Sequence, residues 1–382
     1  MADAADLVIV GGGPVGATLA LKLGNAGREV VVLEPREPAE GPLRPVALSY
    51  GSRLILERLD AWECLVPATA ISRIHVSQRA GFGRVMLTAR DVQLPALGYV
   101  VDYGGMHAAL GGLLASRRCA RVMRATVNRM VPGQEYVSVE YSCCGSTGSI
   151  QARLVVVADG GAVRDDVRSR TVDYRQTAVV ATVIAEQPHR NTAFERFTAT
   201  GPLALLPCDD RYAVIWSVSP ERAQELCGLP EAAFACELER EFGGRLGAFS
   251  GVAQRAVFPL LLRVTDDSAL GRVLRIGNAA QMLHPVAGQG LNLGLRDAWE
   301  LAAGVLRASQ SDIGSTATLS AFRARRRLDR SAAISFTDAL VRGFSNDLWP
   351  VRAVRGVGLT LLGCIPPARD FVVRRMTFGT RA

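Results

Sequence analysis

The chain has 382 residues, 49% of them hydrophobic, which exceeds what one core usually supports and points to two domains or a discontinuous pair. Its formal charge is +8, yet Lys22 is the only lysine among 44 basic residues, a skew that reads as coding bias in a GC-rich genome; no nucleic-acid partner is expected. Eight cysteines without a CxxC pair and four histidines without ligand spacing argue for reduced thiols and no metal. No apolar run reaches the eighteen or so residues of a membrane span and no leader pattern precedes the first strand, so a cytoplasmic protein is expected.

Residues 6–34, DLVIVGGGPVGATLALKLGNAGREVVVLE, predict strand, glycine turn, helix and strand. Gly11, Gly13 and Gly16 stand in GxGxxG spacing: the first permits a tight turn, the second lets backbone approach a pyrophosphate, and the third lets helix pack on strand. Glu34, closing the second strand, can accept hydrogen bonds from a ribose, so the ligand is an adenine dinucleotide. Leu54, Leu56, Leu59 and Trp62 follow in a helical pattern, residues 73–101 alternate like strands, and Met106 to Ser116 reads as a small-residue helix. A meander is expected at about 121–131, 135–142 and 149–157, turning at Gly145 to Gly148 and leading to Asp159-Gly160. From Thr177 long alternating strands take over, with a hairpin at Asp209-Asp210, polar helices near 220–228 and 231–242, and a strand at 254–264.

The chain re-enters the nucleotide domain at IGNAAQMLHPVAGQGLNLGLRD, Ile276 to Asp297. Gly288 and Gly290 there bring bare backbone to the positive end of a helix whose Leu291, Leu295, Ala298, Ala302 and Val305 share one face. This second glycine run lacks an immediately preceding strand, so it is not a second dinucleotide fold. His284 and Pro285 form a turn within it and are the candidate catalytic pair, with a packing role for the histidine weighing equally. Apolar positions Leu205, Pro207 and Trp216, with Phe194 and Phe197, are candidates for a substrate-facing sheet.

GGGPVGATLA at 11–20, RPVALSYGS at 44–52, FERFTATGPLALLP at 194–207 and GNAAQMLHPVAGQGLNLGLRDAWELA at 277–302 resemble the flavin-dependent aromatic hydroxylases of the para-hydroxybenzoate hydroxylase type. Within that group the chain is most similar to the ubiquinone-biosynthesis hydroxylases, the branch of 2-octaprenyl-6-methoxyphenol hydroxylase. The resemblance implies an α/β fold. A Rossmann-like FAD-binding domain (1–72, 101–175 and 267–338) would carry a mainly antiparallel β-sheet substrate domain (73–100 and 176–266) and a basic, apolar C-terminal helical tail (339–382).

It further implies tightly bound FAD, held by Gly11, Gly13, Gly16 and Glu34, with Arg44 near the pyrophosphate or flavin. Asp159, Gly277, Asn278, Gly288, Gly290, and the N–H groups of Leu291 and Asn292 would complete the site, the last two facing negative charge on the reduced ring. NAD(P)H would act as transient reductant. O2, captured as a flavin C4a-hydroperoxide, would give one atom to a prenylated phenol. A ubiquinone biosynthetic complex and the inner-membrane surface are further candidate partners, the latter because seven arginines from Ala339 onward mix with apolar residues. Asn278 stands where many relatives have aspartate, but it can accept as well as donate and the ubiquinone branch resembles this chain in having it; a sharper departure is ADGGAVRDDVR at 158–168, where Val163 and Asp166 replace the serine and arginine of DGxxSxxR. Arg164 or Arg168 substitutes there, or nicotinamide use is weakened. Near 103–110, where relatives place Arg or Gln, this chain offers Met106 and His107, and no role is carried over. The rival readings are a sibling hydroxylase acting at another ring carbon and a flavoprotein subunit that scaffolds the complex.

Overall fold

Strand Asp3–Val10 is apolar on both faces and lies between Val30–Leu33 and Ser146–Val157, parallel to both. The computed structural model describes residues 3–36, 44–65, 67–79, 81–161, 168–265, 271–344 and 349–380. Arg121–Met123 and Val273–Arg275 add further parallel strands, while Thr126–Pro132 and Val137–Cys143 extend the sheet as an antiparallel meander. Leu7 and Ile9 pack into a core with helices Pro14–Gly24, Tyr103–Arg117 and Gln289–Arg307. Val8 and Val10 face a second core built on the meander. Full burial on both faces explains the uninterrupted apolar run. The meander's tight turn falls at Cys144-Gly145, not at Gly145 to Gly148. Both turn residues take positive φ, as a two-residue hairpin demands, which leaves 146–148 extended.

A second sheet has eight strands in the order Gln281–Met282, Phe249–Thr265, Ser169–Ala185, Arg211–Val218, Pro202–Cys208, Thr192–Phe197, Arg73–Gln78, Arg84–Thr88. The expected hairpin at Asp209-Asp210 is present, and helices Pro220–Gly228 and Glu231–Phe242 cover one face. Its strand Ser169–Ala185 begins ahead of residue 176. Gly98–Asp102 leaves this sheet to join Pro45–Ser49 and Thr69–Ile71 in a small sheet between the two larger ones.

Helix Thr316–Phe344 runs unbroken through 338, where the tail was expected to begin, because no proline interrupts it and a change in charge does not end a helix. Helices Trp349–Cys364 and Pro366–Phe378 follow. Leu359, Leu362 and Val373 pack onto Val85, Leu87 and Val92, so the tail covers the edge of the eight-stranded sheet. Its other face is open, with Val354 72% and Phe371 67% exposed. No single helix among the described residues is long and apolar enough to cross a membrane.

Candidate active site

Gly11 takes φ +106°, and a methyl there would sit 2.5 Å from the Ala158 carbonyl oxygen; one at Gly16 would sit 2.0 Å from that of Gly11. Both glycines are therefore required by backbone contact alone. Gly13 differs: a methyl on it would meet only the Tyr103 hydroxyl, at 3.6 Å, so its face opens toward whatever approaches the turn. Helix Pro14–Gly24 starts there with no side-chain cap, leaving the N–H groups of Val15 and Gly16 for an anion. Glu34 is buried, and its Oε2 accepts from the Gly12 N–H at 2.8 Å, fixing the carboxylate beside the turn.

Asp102 caps helix Tyr103–Arg117 through the Gly105 N–H at 2.7 Å and accepts the Arg44 N–H at 2.8 Å. The exposed Arg44 guanidinium lies 4.9 Å from the Tyr103 ring and 5.1 Å from that of Phe258, beside the glycine turn. Burial pushes the Tyr103 hydroxyl pKa up. Tyr103 is a candidate cofactor contact that sequence reasoning missed while weighing Met106, which is buried in the core, and His107.

The second glycine segment packs directly on the first. Gly277 takes φ +59°, and a methyl on Gly294 would sit 2.8 Å from Val15 Cγ2 and 3.1 Å from the Gly277 Cα, so the two ends of the cradle interlock through missing side chains. Helix Gln289–Arg307 begins after Gly288 at φ +60° with no side-chain cap, leaving the N–H groups of Gly290 and Leu291 in its open first turn, whereas that of Asn292, four residues past the cap, is spent inside the helix on the Gly288 carbonyl. The Asn292 side chain is turned away and fully used. Its Oδ1 accepts from the Ser49 N–H and the Ser52 hydroxyl at 2.7 Å each, and its Nδ2 donates to the carbonyls of Ala47 and Gly288 at 2.9 and 2.6 Å. It ties the cradle to strand Pro45–Ser49. Asn278 is exposed and has no protein partner for its side chain among the described residues, so it is free to face a ligand.

Beneath the cradle lies an ion network that the sequence did not disclose. Asp297 accepts from the Gly277 N–H at 3.3 Å, Gln281 Nε2 at 2.8 Å and Arg326 Nε at 2.7 Å. Arg326 and Arg296 both pair with Asp329, whose carboxyl they hold below its usual range against the cost of burial.

His284 is a turn residue. Its Nδ1 accepts the Val286 N–H at 3.1 Å, its ring meets Tyr174 edge-on, and burial lowers its pKa to about 4, so it is neutral near pH 7. His284 Nδ1 thus shapes the loop together with Pro285, while its Nε2 is buried with no hydrogen-bond partner among the described residues. Asp159 accepts the N–H of Gly161 at 3.0 Å, and Arg263 donates to the Gly161 carbonyl. Val163, Arg164 and Asp166 lie outside the described residues, and Arg168 is exposed.

Leu205 and Trp216 face the wrong way to line a pocket over the cradle. Both sit in the core beneath helices Pro220–Gly228 and Glu231–Phe242, Trp216 packing edge-on against Phe234, and strand alternation puts Pro207 on the same face. Phe194 joins that core as well. Phe197 points to the opposite face, where it meets Val286 of the cradle. On that face Ala193 and Leu206 pack with Ala47, so the sheet rests on the cradle through Ala193 at one end and Phe197 at the other. Between them, on the same face, lies Glu195. Its Oε1 is buried without a hydrogen-bond partner, and burial alone raises its pKa to about 7. A cavity of about 840 Å³ lined by His75, Arg84, Arg196 and Arg245 opens on the other side of the sheet, remote from the cradle. Among the described residues no cluster suited to a metal occurs.

A family model described as "FAD binding domain" matches residues 115–337. Ubiquinone hydroxylase UbiL of Rhodospirillum rubrum is 35% identical, over 97% of this chain and 89% of that protein. The 3-demethoxyubiquinol 3-hydroxylase of Escherichia coli is 30% identical, over 93% of each. The crystal structure of p-nitrophenol 4-monooxygenase PnpA from Pseudomonas putida superposes over all of both chains with a TM-score of 0.80 at 20% identity, a likeness of fold. Fold and site define a flavoprotein monooxygenase. The chain belongs to the FAD binding domain family, and the open face of Gly13, the uncapped helix starts and the unpartnered Asn278 suit FAD.

Proposed function

We propose that this chain hydroxylates the ring of a polyprenylated phenol in ubiquinone biosynthesis, consuming O2 and NAD(P)H. The observation that carries the reading is the near end-to-end likeness to two ubiquinone-pathway hydroxylases. The cradle-facing row of the large sheet, with Val180, Ile215 and Ala204 beside Glu195, suits a flat apolar ring. FAD, when bound, supplies the redox chemistry: it takes electrons from the nicotinamide and activates O2. The protein holds and shields. The N–H groups of Val15 and Gly16 face the pyrophosphate, those of Gly290 and Leu291 offer positive potential to negative charge on the ring, and Arg44 with Tyr103 closes the turn. The sheet resting on Ala47 and Val286 keeps water from the reacting centre. Anaerobic mixing with NADPH or NADH should bleach the flavin, and expression in a hydroxylase-deficient strain should restore a hydroxylated prenylphenol seen by mass spectrometry. A flavin that neither nicotinamide reduces, with no restored product, would sink the reading.

The reading extends to a peripheral position at the inner membrane, within reach of a biosynthetic complex. It is supported by the open apolar face of the tail, where Val354, Val357, Leu361, Ile365 and Phe371 are exposed. Val354→Asp with Phe371→Asp should reduce co-sedimentation with anionic vesicles; binding equal to that of the unaltered chain would remove the tail from the account.

A further inference from the structure

We propose that Glu195 is the catalytic base that takes the proton of the substrate's ring hydroxyl, an assignment that rests on the hydroxylase reading above. Strand alternation sends Phe194 and Arg196 toward Phe242 and the covering helices. It sends Ala193, Glu195 and Phe197 toward the cradle. Register places Glu195 beside Val76 on one side and Ala204, then Ile215, then Val180 on the other. Across five strands it is the one ionisable side chain in that row.

A structural role would need a partner, and none is present among the described residues. Oε1 is buried and unbonded, and Arg196 next to it donates to Ser77 on the far face of the sheet. A carboxyl with one oxygen buried and unbonded carries a desolvation cost that packing does not offset, and such groups concentrate where chemistry uses them. Burial also places its proton affinity at about 7, where it can both accept and return a proton.

The phenol O–H bond breaks, its proton passes to the Glu195 carboxylate, and the electron pair stays on oxygen and enriches the ortho and para carbons. One of these forms a new C–O bond to the oxygen atom that O2 supplies; the other atom leaves as water, with NAD(P)H as reductant. The hydrogen on the attacked carbon departs as a proton, the ring regains aromaticity, and Glu195 gives its proton back.

The test uses holoenzyme with 2-geranylphenol as probe. For the unaltered protein, the ultraviolet difference spectrum of the bound probe should show phenolate above about pH 7, and hydroxylation should fall as the carboxylate is protonated below it. In Glu195→Gln, FAD content and NADPH-driven flavin reduction should persist, the phenolate signature should vanish, and hydroxylation should fall by about 10²- to 10⁴-fold with the pH dependence lost. Glu195→Asp should recover part of the rate and the pH dependence. The assignment is overturned if Glu195→Gln hydroxylates at the original rate with the original profile, or if it fails to bind FAD, which would make the residue structural. Failure of the unaltered protein to ionise or hydroxylate any prenylated phenol sinks the parent reading instead, and this one with it.

Discussion

Gly13→Ala separates what the glycine turn does for the fold from what it does for the cofactor. The added methyl meets only the Tyr103 hydroxyl at 3.6 Å, an ordinary contact, so the apoprotein should unfold within about 0.5 kcal/mol of the parent. The methyl stands, however, at the mouth of the turn, in front of the uncapped Val15 and Gly16 N–H groups. Two hydrogen bonds from those groups to a charged pyrophosphate are together worth about 3–6 kcal/mol, so holding the ligand off should weaken FAD about 10²- to 10⁴-fold. Gly16→Ala is the contrast: its methyl would lie 2.0 Å from a backbone carbonyl, and overpacking of that kind costs about 1–3 kcal/mol or more of apoprotein stability. Flavin titration followed by fluorescence quenching, with urea unfolding of each apoprotein, reads both quantities. Unchanged FAD affinity in Gly13→Ala would refute the assignment of this turn to the pyrophosphate.

Asp297→Ala should cost about 3–5 kcal/mol in urea unfolding, because it strips the buried Arg326 of a partner and frees the Gly277 N–H. Leu205→Ala should cost about 2–5 kcal/mol of stability while leaving the KM for a prenylphenol unchanged, since the residue is core under the two helices; a KM effect without destabilisation would restore it to the pocket. His284 has a folded pKa of about 4, below its unfolded value of 6.5, so the unfolded chain binds the extra proton first. Its contribution is thus full above pH 6.5, and up to about 3 kcal/mol is lost as pH falls to 4. His284→Asn, which keeps an acceptor for the Val286 N–H, should flatten that part of the stability profile measured by urea midpoints.

Both ends of the cofactor site were legible because each depends on local backbone geometry: Gly11, Gly16, Gly277 and Gly288 leave their signature in glycine spacing. The strands, the Asp209-Asp210 hairpin and the covering helices were legible from periodicity. Which face of a strand looks at the cradle was not. When helices cover one face and the cradle the other, Leu203 to Pro207 read as apolar throughout, and a shift of one residue exchanges the faces. That ambiguity put Leu205 and Trp216 in the pocket and left Glu195 as an unremarkable charge in FERF. The Asp297, Arg326, Asp329 and Arg296 network escaped for another reason: its members are scattered over two helices, and arginine is too common in this chain to stand out.

The interlocking of Val15 with Gly277 and Gly294 has a consequence for when the protein can acquire its flavin. About 260 residues separate the two halves of the cleft, and at about 5–20 residues per second a ribosome needs roughly ten seconds to a minute to cover them. The first βαβ unit must wait through that interval with its pyrophosphate turn lacking the helix that backs it. Cofactor capture is thereby confined to the finished or nearly finished chain. Since a ligand that binds only the folded form stabilises it by mass action, cellular flavin supply becomes a checkpoint on how much of the protein accumulates.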